Sequence, residues 1–250
     1  MKLALFADVH ANLQALHACL ADARQRGATR HAFLGDLVDY GADPVAVLDL
    51  VMAMTAKGAW ALRGNHDEAA LGAPPPVAGK PDATGAAWTA AQLEPRHREF
   101  LAALPLVVEE DFYCLVHASM RDPARWEYVT DSMAAAGSLG GAEDRGRTHV
   151  FGGHVHSQRL FFQGAVGKVM PFEPTPNVPV PVPRHRRWLA TVGSVGQPRD
   201  GRAEALYALF DSVSLQVTFA RVPYDHGAAA QAILNAGLPE FNARRLAVGQ

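Results

Sequence analysis

Short apolar runs alternate with stretches of helical periodicity along the first third of the chain. "KLALFAD" at 2–8 is a continuous apolar run closed by an acid, the pattern of a parallel strand buried on both faces. Over 11–27, Leu13, Leu16, Leu20 and Ala23 recur at helical spacing, and Gly27 supplies a stop. "RHAFLGD" (30–36) predicts a second strand. Residues 43–58 predict a second helix, with Asp43 as N-cap, Pro44 in the first turn and Gly58 at the end. "WALRGN" (60–65) predicts a third strand. Strands alternating with helices in this way argue for an α/β fold with right-handed crossovers.

The rhythm breaks at 68–108. "GAPPPVAGKPDA" reads as a loop, and "TGAAWTAAQLEPRHREFLAALP" as helix interrupted around Pro95. This segment is too short to bury a core of its own, so it reads as a helical flap inserted in one domain, 1–250. Trp88, Leu93, Phe100 and Leu101 are its expected packing face. "FYCLVHA" and "THVFGGH" return to strand patterns. The proline-rich "FEPTPNVPVPVPRHRR" reads as an extended loop. "RWLATVGS" is a further strand, and "EALYALFD" with "SVSLQVTFARV" reads as a hairpin turning at Asp211 and Ser212. "DHGAAAQAILNAG" is the expected last helix.

Composition narrows the class. The 250 residues are 49% hydrophobic and 19% charged, with a net charge of −2, which fits an ordinary globular domain and gives no electrostatic footprint for nucleic acid. The basic run "RHRR" at 184–187 reads as a solvated turn. Only Cys19 and Cys114 are present, both with apolar neighbours, so buried thiols are expected and a disulfide framework is not. The apolar start ends at Asp8, too early for a secretory leader, and no run reaches the length of a membrane span. A cytoplasmic, soluble protein is expected.

The polar residues that follow the strands carry the chemistry. Asp8 and His10 follow the first, Asp36 and Asp39 the second, and Asn65, His66 and Asp67 the third. His117 follows the fourth, and His154 and His156 the fifth. In open α/β sheets, ligands bind beyond the carboxyl ends of the strands. Each residue alone has an ordinary explanation: Asp8 and Asp36 as helix caps, Asn65 and Asp67 as turn or cap residues, His117 as a core histidine. Arriving from five segments, they are hard to explain separately. Carboxylate, imidazole and amide oxygen without thiolate suit first-row divalent cations, and the set is too large for one ion. His17, His31, His97, His149, His185 and His226 fall outside these segments and read as surface or structural.

In this order, DVH, GDLVD, GNHD, VHAS and GHVH resemble the motifs of the calcineurin-like metallophosphoesterase superfamily: D-x-H, G-D-x-x-D, G-N-H-[DE], a lone H, and G-H-x-H. The likeness spans about residues 1–220 and includes the bacterial members grouped with diadenosine tetraphosphatases and protein phosphatases. It implies a four-layer αββα sandwich of two mixed sheets flanked by helices. It also implies two divalent cations drawn from Mn, Fe, Zn, Ni, Co or Mg, with Mn or Fe favoured. Matched motif to motif, Asp8, His10, Asp36 and His156 would hold the first and Asp36, Asn65, His117 and His154 the second, Asp36 bridging. His66 would act as general acid or phosphate contact, oriented by Asp39. The implied reaction is in-line attack on phosphorus by a metal-bridging hydroxide.

The phosphoprotein phosphatase branch reads G-D-x-V-D-R-G and GNHE; here Tyr40 replaces the arginine, and Asp67 ends GNHD. Tyrosine donates a hydrogen bond without charge, so a dianionic monoester would be gripped less strongly. A phosphodiester or nucleotide polyphosphate is therefore the expected substrate, with Tyr40 and Arg199 as candidate contacts; an ion pair within its loop is the alternative role for Arg199. Arg121 and Arg125 are further candidates. A phosphomonoesterase, protein phosphatases included, is the alternative. A non-catalytic scaffold is a third reading, disfavoured because every motif residue and His66 is kept.

Overall fold

The computed structural model describes residues 1–72, 82–164 and 166–250. In β1 (Lys2–Phe6), Leu3 and Leu5 face one apolar core while Ala4 and Phe6 face another. Side chains alternate across a strand, so burial on both faces is what makes the run continuously apolar. There follow α1 (Leu13–Gln25), β2 (Arg30–Phe33), α2 (Pro44–Thr55) and β3 (Trp60–Ala61), and the three strands run parallel. Asn12 caps α1 by accepting from the Ala15 N–H. Asp43 occupies the N-cap of α2 as expected but makes no capping bond; its carboxylate accepts from Gln14 instead.

Next come α3 (Asn65–Ala70), α4 (Asp82–Gln92) and α5 (Pro95–Ala103). Within 68–108, residues 68–70 thus complete α3, and Pro95 opens α5. Leu93 and Leu101 are buried in the core beneath α1 and α2, and Phe100 packs against it. Trp88 packs on the C-terminal helices instead. Residues 73–81, which hold most of the predicted loop, lie outside the described residues.

The second sheet begins with β4 (Val107–Glu109) and β5 (Tyr113–Val116). After α6 (Ser132–Glu143) come β6 (His149–Gly152), β7 (Gln158–Gln163) and β8 (Val169–Phe172). The proline-rich stretch is not all loop: β9 (Val180–Pro181) pairs at the edge of the first sheet, where a proline's missing N–H is tolerated. β10 (Trp188–Val192) returns to the second sheet. β11 (Glu204–Asp211) and β12 (Gln216–Pro223) form the predicted hairpin, with residues 212–215 as its turn. α7 (His226–Asn235) is followed by α8 (Glu240–Val248), which the sequence reading does not anticipate.

The first sheet has the order β3-β2-β1-β11-β12-β9 and the second β4-β5-β6-β10-β7-β8. Leu3, Leu5 and Phe210 from one meet Phe151, Leu160 and Ala190 from the other in the central core. Helices α1 and α2 cover the outer face of the first sheet, and α6 covers that of the second. The architecture is therefore the expected four-layer αββα sandwich of two mixed sheets. It also means that the five motif segments do not follow one parallel sheet. Three leave the first sheet and two leave the second, and they meet where the two layers adjoin.

Candidate metal centre

The backbone is unusual at the motif residues. Asp8, His10, Asp36, Asp39, Tyr40, His154 and His156 all have positive φ, between 48° and 73°. Asp and His enter this left-handed region more readily than most residues, yet each instance costs energy and persists only where surroundings enforce it. Here the loops brace one another. The Asp8 N–H donates to Gly35 O at 3.1 Å and the His10 N–H to Asp36 O at 3.0 Å. Ser194, after β10, donates its hydroxyl to Asp8 O at 2.8 Å.

What these turns bring together is a cage of acceptors. His10 Nδ1 donates to Val38 O (3.1 Å), His156 Nδ1 to Gln197 O (2.6 Å) and His117 Nδ1 to Leu34 O (2.8 Å). A carbonyl only accepts, so each of these bonds places a proton on Nδ1, and in the neutral ring Nε2 keeps a bare lone pair turned toward the cage. The lone pairs converge: His10 Nε2 lies 3.2 Å from His156 Nε2, which lies 3.3 Å from Asp8 Oδ1. In the adjoining group, His117 Nε2 lies 3.1 Å from Asn65 Oδ1, 3.2 Å from His154 Nδ1 and 3.3 Å from Asp36 Oδ2. Asp36 Oδ2 also faces His10 Nε2 at 3.8 Å and has no hydrogen-bond partner among the described residues. Imidazole nitrogens and carboxylate oxygens that converge in this way, buried away from water, are what a cation relieves. Two sets, Asp8/His10/His156 and Asp36/His117/His154, each offer three such atoms within 4.8 Å of one another, and Asp36 looks toward both.

Close packing holds the cage shut. A Cβ on Gly153 would come within 2.5 Å of Asp8 Oδ2, and one on Gly64 would overlap Asp36 Oδ1. The His154 N–H donates to both Asp8 oxygens, at 2.9 and 3.1 Å. Asp67, fully buried, accepts backbone N–H bonds from Asp36, Leu37, Val38 and Gly64, at 2.8 to 3.3 Å. It therefore ties the β2 loop to the start of α3, a role that the sequence discloses only as a turn or cap. Burial, and Asp36 close by, push its carboxyl up to about 7, against the opposing pull of the N–H donors.

Protonation follows the same geometry. Burial lowers His10 and His156, and for His10 the neighbouring His156 adds to the effect. Burial and then His117 push His154 down to about 3. At His117 burial is outweighed by Asp36, and the imidazole is pushed up to about 9. Burial alone would raise Asp36, but His117, His66 and His10 hold it well below the usual carboxylate range.

His66 stands outside the cage, 15% exposed, and donates from Nδ1 to Asp39 Oδ2 at 2.7 Å. Its Nε2 lies 3.2 Å from the Tyr40 hydroxyl. Burial lowers its pKa less than Asp36 and Asp39 raise it, and the ring is pushed up to about 9. The Arg199 N–H donates to His156 O at 3.1 Å, and its guanidinium bonds Gln197 Oε1 at 2.9 Å. Arg121 and Arg125 lie on the exposed surface, beside Glu127 and Asp122. His149, buried at the start of β6, bonds to Val182 O at 2.8 Å and takes no part in the centre. Ser194, Gln197 and Tyr128, whose ring stacks on His154 at 3.9 Å, belong to the site but match no motif.

Residues 1–158 match the model of the calcineurin-like phosphoesterases. An uncharacterised protein of Methanocaldococcus jannaschii is 31% identical, with 99% of this chain and 98% of that protein covered. The crystal structure of a metallophosphoesterase from Sphaerobacter thermophilus is 32% identical, with a TM-score of 0.88 and both chains fully covered. A cold-active protein-tyrosine phosphatase of Shewanella, 12% identical, shares the fold at a TM-score of 0.51 over 89% of this chain and 80% of its own.

Proposed function

Because the chain belongs to the calcineurin-like phosphoesterase family, whose members are phosphoester hydrolases, we propose that it hydrolyses phosphodiester or nucleotide polyphosphate bonds with the aid of two divalent cations. The observation that carries the reading is the cage of converging ligand atoms, in which Asp36 Oδ2 faces imidazoles of both groups. Asp8, His10, Asp36 and His156 would hold one cation, and Asp36, Asn65, His117 and His154 the other. Imidazole and carboxylate without thiolate fit Mn or Fe, and equally Zn, Co or Ni. When bound, the pair would supply Lewis acidity toward phosphorus and activate water near neutral pH.

The chain's own residues do the rest. His66, reachable from solvent and tethered by Asp39, presents Nε2 to deliver a proton to the leaving oxygen. Asp39 fixes the tautomer and favours the imidazolium that must give up that proton. Tyr40 orients Nε2 and offers an uncharged donor to a phosphate oxygen. Arg199 adds positive charge on the His156 side.

The test is a substrate panel with Mn²⁺: bis-p-nitrophenyl phosphate, p-nitrophenyl phosphate, cyclic nucleotides, diadenosine tetraphosphate and phosphopeptides. Turnover of diesters or polyphosphates is expected. Turnover confined to p-nitrophenyl phosphate and phosphopeptides would establish a monoesterase instead, and two bound cations with no turnover would mark a scaffold.

A further inference from the structure

A cavity of about 670 Å³ lies beside the centre, walled by Arg159, Arg199 and Arg221 together with Asp200 and Glu173. The topology puts it at the end of the sheets where the motif loops emerge. β12 runs parallel to β1, since both pair antiparallel with β11, so Arg221 near its end lies toward the Asp8 end. β7 starts opposite Val192, the end of β10, and β8 ends at Phe172 opposite Leu160. Backbone contact joins the cavity to the centre, because Arg199, on its wall, donates to the carbonyl of His156.

The wall is short of acceptors. Arg199 Nε, Arg221 Nε and Arg221 Nη1 are buried with no hydrogen-bond partner among the described residues. Arg221 pairs through Nη2 with Asp200 Oδ2, and its Nη1 reaches Glu204 only at 3.8 Å. Asp200 Oδ1 is the one buried acceptor of this wall left without a donor. Arg159 is exposed and spends one nitrogen on Thr130 O, at 2.9 Å. Guanidiniums outnumber carboxylates on the wall, and buried N–H groups without acceptors are costly unless a guest supplies oxygen. Phe172, 43% exposed on the same wall, offers an apolar face.

We propose that this cavity takes the part of the substrate beyond the reacting phosphate, and that this part carries at least one further phosphate, held by Arg199 and Arg159. The proposal rests on the phosphoesterase reading above and narrows its substrate class to nucleotide polyphosphates. Hydrolysis at the centre then forms one P–O bond from water and breaks the P–O bond to the leaving group, which takes its proton from His66 and departs with the phosphate held in the cavity.

Two measurements on the full-length, Mn²⁺-loaded protein test it. In calorimetric titration at fixed free Mn²⁺, adenosine 5′-(α,β-methylene)diphosphate is expected to bind at least about tenfold tighter than inorganic phosphate. Arg159→Ala should remove that margin without changing phosphate binding. In kinetics, Arg159→Ala should raise KM for diadenosine tetraphosphate about tenfold and leave bis-p-nitrophenyl phosphate, which carries a single phosphate, unchanged. Equal loss on both substrates, no loss on either, or no margin in wild-type binding overturns the cavity assignment. Failure of the wild type to turn over any phosphoester defeats the parent reading instead, and the titration still decides the cavity.

Discussion

His66 is held at both ring nitrogens, by Asp39 and Tyr40, yet contributes no atom to the acceptor cage. Removing it should therefore separate binding from turnover. His66→Ala is expected to keep both cations, by metal analysis, and to lose roughly 10²- to 10⁴-fold in kcat, the range for a general acid. Full activity in that variant would end the assignment. Asp39→Asn should cost less, roughly 10- to 100-fold, by loosening the ring rather than deleting it. His149 shows how differently a histidine five positions before His154 can behave. Burial outweighs its bond to Val182 O and pushes it down to about 4 from 6.5. The folded state thus binds the proton more weakly than the unfolded chain. The stability this contributes is complete above about pH 6.5 and is lost as pH falls toward 4, at 1.36 kcal/mol per pH unit and about 3 kcal/mol in all. Denaturant unfolding between pH 7 and pH 5 should show wild type losing more stability than His149→Gln; parallel losses would refute the account.

At the scale of elements, the β2 loop is fixed by α3 rather than by its own sequence. Asp67→Ala would leave the N–H groups of Asp36, Leu37, Val38 and Gly64 without their acceptor. At about 1–3 kcal/mol for each buried unsatisfied donor, a loss of at least 3 kcal/mol is expected by chemical denaturation, with weaker cation binding. A change under about 1 kcal/mol would show that water or the neighbouring loops replace the carboxylate. Only the bond from Gly64 is local; Asp36, Leu37 and Val38 are some thirty residues away, and nothing near Asp67 in the chain announces them. The same distance separates what was legible in the sequence from what was not. β1 and β5 were readable because burial on both faces leaves a nearly unbroken apolar run. The motif residues were readable because their types and order repeat a known pattern. α6 was not, because "SMAAAGSLGGAE" packs with small residues and presents no large apolar stripe. α8 was not, because its charged "EFNARRLAV" is half exposed and packs mainly on α7. Ser194 and Gln197 support Asp8 and His156 through bonds that only the fold creates.

At the scale of the molecule, the cage spans both sheets. Asp8, His10, Asp36 and Asn65 are delivered from the first, and His117, His154 and His156 from the second. Without a cation, bare lone pairs such as those of His10 and His156, 3.2 Å apart, oppose the approach of the two layers. With cations bound, the same atoms become a clamp between them. The unfolded chain has no comparable site, so cations should stabilise by RT ln(1 + [L]/Kd), about 4 kcal/mol at a thousandfold excess over Kd. For a chain of this size that corresponds to a rise in Tm of roughly 10 °C. Thermal unfolding with Mn²⁺ and with a chelator should therefore differ by that order in the wild type. Asp36→Asn, which weakens the shared ligand, should shrink the difference, whereas Arg159→Ala, outside the cage, should preserve it. A wild-type Tm indifferent to saturating cation would mean that the converging acceptors are not a metal site, and the proposed chemistry would fall with them.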